Sequence, residues 1–225
     1  MISTAASAPS RNDPLRFMIR PTPQLRAVVT QQQALLGAAD FQGMLAAVRS
    51  AFEKYTAKLL ESKAGALRAQ ALHALMDREL APASALPVTC GKGCSGCCYY
   101  EVEITRDEAV LLKTVVQRGF PLDLPRLELQ AARERKSPEW LKFFSRENRC
   151  VFLGDDGACQ VYEQRPAICR KHVVTSPAAA CTTAGAEVVP VQLLLAEILL
   201  SAALSLEGVR SASLSRMLVE ALREN

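Results

Sequence analysis

The stretch Cys90-Gly91-Lys92-Gly93-Cys94-Ser95-Gly96-Cys97-Cys98 decides how this chain is read. Four thiols sit within a few residues of one another, and three glycines fill the gaps. A metal site needs several thiolates converging at about 2.3 Å from the ion. A chain turns that tightly where glycine permits left-handed or strained backbone angles, so Gly91, Gly93 and Gly96 make this a ligand loop. Disulfides fit poorly, because the neighbours Cys97 and Cys98 point their side chains apart and a vicinal bridge is strained. Downstream lie Cys150, Cys159, Cys169 and Cys181, eight cysteines in all. That is enough for two four-ligand sites, or for one site with spare thiols buried as small apolar side chains.

Outward from the loop, Tyr99 to Ile104 alternates like a short strand. Thr105 with Glu108 is a capping-box pattern opening a helix through Val110, Leu111, Val115 and Val116. Leu124 to Arg135 reads as a helix, and Pro138 starts a short one through Trp140, Phe143 and Phe144. Cys150–Leu153 and Cys159–Tyr162 flank Gly154-Asp155-Asp156-Gly157, a two-strand turn signal in which the acids are turn formers rather than general acids. From Gln24 to Leu80, apolar residues recur at three- and four-residue intervals, which predicts two or three helices, with a break at Gly37 and Asp40 as a cap. After Pro190 two amphipathic helices are expected.

With 225 residues and 49% apolar content, the chain can bury an ordinary core without disulfides. Residues 1–26 lack the unbroken apolar run of a secretory signal, and Pro9, Pro14, Pro21 and Pro23 interrupt them. A cytoplasmic location with reduced thiols is therefore expected, and the leader reads as disordered or loosely docked. Its arginines, Arg11, Arg16, Arg20 and Arg26 against Asp13, also match the composition of a transit peptide. The most apolar stretch, Val191–Leu206, is too short and, with Glu197, too polar to span a membrane. The net charge of +4 treats thiols as neutral and gives no case for nucleic-acid binding. Cys94-Ser-Gly-Cys97 matches a bare redox dithiol, yet the βαβ context of a thioredoxin is missing, and no histidine stands where haem attachment needs one.

The order Cys90, Cys94, Cys97, Cys98, then Cys150-Val-Phe-Leu, Gly157-Ala-Cys159-Gln-Val-Tyr162-Glu163 and Arg165-Pro166-Ala-Ile-Cys169-Arg170 resembles the YkgJ-type cysteine-cluster family of zinc- or iron-chelating domains. The resemblance covers residues 90–172. The first gap is three residues here, where many members have two. The family includes flagellin lysine N-methylases with a proposed iron-sulfur cluster, so the resemblance implies a cluster of the 4Fe-4S type, with zinc as the alternative. All eight cysteines are candidate ligands. Arg165 and Arg170 are candidates for stabilising the anionic sulfurs, and Lys171 and His172 lie in the same basic string.

The expected fold is mainly α: a flexible leader (1–26), an N-terminal helical region (27–86), a cysteine-cluster domain with a small antiparallel β-hairpin (87–185), and C-terminal helices packed on it (186–225). The leading function is a metal-centre protein for electron transfer, metal handling or support of a protein partner. A zinc-binding structural or interaction domain is the alternative. An enzyme related to protein N-methyltransferases is a further one, although no glycine-rich adenosyl-binding loop is present.

Overall fold

The protein is described by a computed structural model covering residues 13–91, 93–141, 144–183 and 185–224. Among these, the chain is mainly helical: α1 (Pro23–Leu35), α2 (Ala38–Leu60), α3 (Ala66–Leu80), α4 (Arg106–Gln117), α5 (Leu124–Ala132), α6 (Ala167–Lys171), α7 (Leu194–Ser205) and α8 (Leu214–Arg223). Two short strands, β1 (Glu103–Thr105) and β2 (Ser211–Ser213), pair antiparallel with Ile104 opposite Ala212.

Two apolar cores organise these elements. In the first, α1, α2 and α3 pack around α7, whose Ala196, Ile198, Leu199, Leu200 and Ala202 are all buried. The expectation of an amphipathic helix here gives way to one that is apolar on nearly every side, because three helices enclose it. Leu15 and Met18 are about 1% exposed and belong to this core, so the leader is docked from residue 13 onward. Residues 1–12 lie outside the described residues. Gly37, not Asp40, is the N-cap of α2; Asp40 sits in the first turn, where its charge still favours the helix dipole.

The second core joins α4, α5, α8 and the segment 151–161 through Leu112, Leu127, Phe152, Val161, Met217 and Leu218. Here α8 is the amphipathic helix expected, with Leu214, Met217, Leu218 and Ala221 on its buried face. The capping box at Thr105 forms in full. Thr105 Oγ1 accepts from Glu108 N at 3.3 Å, and Glu108 Oε2 accepts from Thr105 N at 2.9 Å.

The regular sheet differs from the hairpin anticipated at residues 150–162. That hairpin narrows to a single bridge, Leu153 with Cys159, and the ladder instead pairs β1 with β2, more than a hundred residues apart. The Gly154–Gly157 turn is present, with Asp156 accepting from Ala158 N at 3.0 Å, so its acids do shape the turn. No helix among the described residues is long and apolar enough to cross a membrane.

Candidate metal centre

The cysteine loop is held by short turns rather than long elements. Cys97 and Cys98 belong to a 3₁₀ turn, Gly96–Tyr99. Gly93 has φ +89°, the left-handed backbone that glycine adopts without a Cβ penalty. Gly96 is required for a different reason: a Cβ there would meet Cys181 Cβ at 2.7 Å. Gly91, by contrast, has open space around it and no positive φ.

Three hydrogen bonds from backbone amides tie the loop down. Thr89 N donates to Val174 O (3.0 Å), Val174 N donates to the Cys90 sulfur (3.3 Å), and Cys150 N donates to Cys98 O (2.8 Å). Residues 173–175 are backed in turn by 189–191, through Thr175 N to Val189 O and Val191 N to Val173 O.

Seven of the eight cysteines, Cys90, Cys94, Cys97, Cys98, Cys150, Cys159 and Cys169, line one cavity of about 150 Å³. Cys181 stands behind Gly96 instead. All eight thiols are free. Among the described residues no three Cys, His, Asp or Glu side chains are already placed to hold one ion. The sulfurs ring a space rather than meeting at a point.

Burial decides their ionisation. It pushes Cys150 up to about 11 and Cys169 well above the usual thiol range, and neighbouring thiols raise Cys169 further. Cys90, Cys159 and Cys181 are raised for the same first reason. Cys97 is the exception: the Cys98 thiol donates to it and Arg165 lies nearby, so its thiolate is favoured while Cys98 is driven up. A thiolate-bound centre therefore starts with one sulfur, Cys97, whose ionisation is favoured, and must displace protons from the thiols that burial raises.

The two candidate arginines divide in role. Arg165 lines the cavity and stacks over the Tyr162 ring at 3.9 Å; its buried Nε has no hydrogen-bond partner among the described residues. An unpaired buried N–H of a permanent cation beside thiols suits an anionic sulfur centre, and it is the observation by which this donor set fits one.

Arg170 is engaged with the protein on every nitrogen. Nη1 grips both Asp77 oxygens at 2.8 Å, Nε donates to Arg165 O at 2.9 Å, and Nη2 donates to Glu163 O. It pegs α6, and so Cys169, to α3. Lys171 pegs the same helix to α7 through Glu197 at 2.5 Å, where both side chains are about a tenth exposed or less. His172 is exposed at the cavity rim.

A third peg escaped the sequence reading. Glu108, 2% exposed, accepts from Ala167 N at 2.7 Å and lies 3.3 Å from His73 Nε2. Burial raises its carboxyl, but His73 and the backbone donors outweigh that and hold it ionised. The capping-box pattern located Glu108, yet nothing local showed that its second oxygen reaches α6. Two further residues were missed. Arg126 lies close enough to Cys150 to favour its thiolate, and Gln130 holds the approach to Cys150 by donating to Glu147 O (2.7 Å) and Arg149 O (2.9 Å). A polar residue on the buried face of an otherwise amphipathic helix was the available signal for Gln130.

Residues 89–186 match the family model CxxCxxCC, described as "Putative zinc- or iron-chelating domain". This segment is similar to that domain. The YkgJ-type resemblance is consistent with it, and the match supports metal binding in general terms. The matched segment contains β1, α4, α5, α6 and the irregular chain around the cavity, and leaves α1–α3, α7 and α8 outside it. No curated protein and no solved structure matches the chain.

Proposed function

We propose that this protein carries an iron-sulfur cluster of the 4Fe-4S type on its cysteine cluster and uses it in electron transfer, metal handling or support of a partner enzyme. The observation that carries this reading is the cavity of about 150 Å³ lined by seven cysteines. A cavity of that volume takes a molecule the size of benzene, far more than one ion needs. Eight thiols likewise exceed the four that a single tetrahedral zinc uses. Such a cluster supplies one-electron chemistry when bound.

The chain's own residues set its surroundings. Arg165 offers an unpaired N–H and a fixed positive charge, which favour the reduced, more negative state. The apolar wall of Val102, Phe152, Val161 and Leu214 limits water. Gly91, Gly93 and Tyr100 are exposed on the rim, which leaves one edge within reach of a protein partner.

Protein prepared without oxygen is expected to be brown, to contain inorganic sulfide, and to lose its visible absorption in air. Replacing Cys94 and Cys97 together by serine should sharply reduce bound metal. Colourless anaerobic protein with stoichiometric zinc and no sulfide would overturn the cluster and leave a zinc-binding structural or interaction domain.

A further inference from the structure

The segment 13–22 carries no helix or strand, yet it is anchored to the body of the protein at several points. Leu15 and Met18 sink into the core around α7, and Phe17 stacks edge-on against Phe52 of α2 at 5.8 Å. Its backbone meets the body through two serine hydroxyls: Arg20 N donates to Ser205 Oγ (2.8 Å) and Thr22 N donates to Ser201 Oγ (3.0 Å). A segment held by a few side chains, outside any ladder, opens more readily than the helices beneath it.

Two of its side chains reach the walls of the cysteine cavity through one intermediary each. Thr22, 3% exposed, donates from Oγ1 to Glu197 Oε2 at 2.8 Å. The other oxygen of Glu197 holds Lys171, which shares the short helix α6 with Cys169. Arg20 donates to Ser211 Oγ at 2.6 Å and lies 3.4 Å from Glu103 Oε1, which also accepts from Ser211 Oγ at 2.7 Å. Glu103 and Ser211 belong to β1 and β2, and Val102, just before β1, and Ser213, paired with Glu103, line the cavity. The segment is therefore bonded to both the α6 side and the sheet side of the cavity.

We propose that residues 13–22 form a strap whose docking is coupled to metal occupancy of the cysteine cavity: a loaded centre holds the strap down, and a released strap loosens the centre. The coupling rests on the metal-centre reading, in its cluster or its zinc form, and adds to it a surface segment that responds to the centre. The main link is the buried pair Lys171–Glu197. Such a pair is stabilising only while its geometry is held and its remaining lone pairs are satisfied, and Thr22 supplies the donor to the second carboxylate oxygen. At the other end, the five-residue α6 cannot keep its shape alone, so a metal bond at Cys169 steadies Lys171. Coupling between two sites is reciprocal, and it is typically worth about 5- to 150-fold in affinity.

The test compares the full chain, prepared anaerobically and loaded, with the same protein after complete metal removal. Hydrogen exchange is read at residues 15–22, and metal affinity by competition with a chelator. Metal removal should speed exchange in the strap about tenfold, with α2 unchanged. The double variant Arg20→Met/Thr22→Val changes two side chains that lie outside the cavity lining. Its metal affinity should fall about tenfold and its strap exchange should stop responding to metal, while Thr22→Ser, which keeps the hydroxyl, should behave as wild type. A strap that is merely less stable would instead exchange faster in both states with the metal response intact, and that result overturns the coupling. Equal exchange with and without metal in the wild type overturns it too, as does a double variant with wild-type metal affinity. Wild-type protein that takes up no metal sinks the proposed function itself, and the coupling with it.

Discussion

The two halves of this molecule are ordered by different means. Around α7, four helices bury leucine, isoleucine and methionine, and burial alone accounts for their order. Around the cysteine cavity, the chain runs through 3₁₀ turns and single bridges, and its order comes from polar pegs and glycine-permitted contacts. A helix can be placed by an apolar stripe, whereas converging thiols demand irregular backbone whose stability must come from elsewhere. The five-residue α6 shows the consequence. Too short to be stable alone, it is held by Asp77, Glu108 and Glu197 from three different helices.

Several experiments would break or sharpen that contrast. The largest effect is expected from removing the metal. Amide exchange should accelerate by orders of magnitude in residues 88–100 and 150–162, while α2 and α7 stay protected; equal protection there after complete demetallation would mean the centre has no structural role. Next, Leu199→Ala in α7 should cost about 2–5 kcal/mol in denaturant unfolding, since Leu199 is fully buried. Metal stoichiometry at low temperature should be unchanged, which separates the two halves.

Glu108→Ala attacks the link between them. It strands His73 and the amides of Thr105 and Ala167, so a loss of about 3 kcal/mol is expected, with weaker metal retention because α6 carries Cys169. A stability change under about 0.5 kcal/mol would show that the peg is dispensable. Gly96→Ala should cost about 1–3 kcal/mol through its collision with Cys181, and Gly91→Ala, with open space, should cost far less. Similar losses in both would mean that Gly96 is not held tight by Cys181.

The smallest effect is one of pH. Cys150 has its thiol pKa raised from 9.0 to about 11 by burial, so metal-free protein gains from keeping it neutral. That contribution is full below pH 9 and is lost as pH rises towards 11. Metal uptake has the opposite slope, strengthening with pH because thiols must ionise, and proton release on binding can be measured directly. A melting temperature of the metal-free protein that rises between pH 9 and 11 would contradict the burial of Cys150.

How much was legible in the sequence follows from the range of the physics involved. Helices α2, α3, α4 and α8 were legible as apolar periodicity, and the Thr105–Glu108 capping box spans three residues. The Cys90–Cys98 loop was legible because its thiols and glycines are contiguous, and no fold is needed to see that they make a ligand-rich turn. Only the tertiary structure decided what lies across the chain. It paired β1 with β2 in place of the anticipated hairpin, docked residues 13–26, and wrapped α7 on every side. It also separated two arginines that read alike in sequence: Arg165 keeps a free N–H at the cavity, while Arg170 is spent on Asp77 and nearby carbonyls. Periodicity and caps act within a few residues, but whether a buried charge meets a sulfur or a carboxylate depends on which distant helix packs beside it.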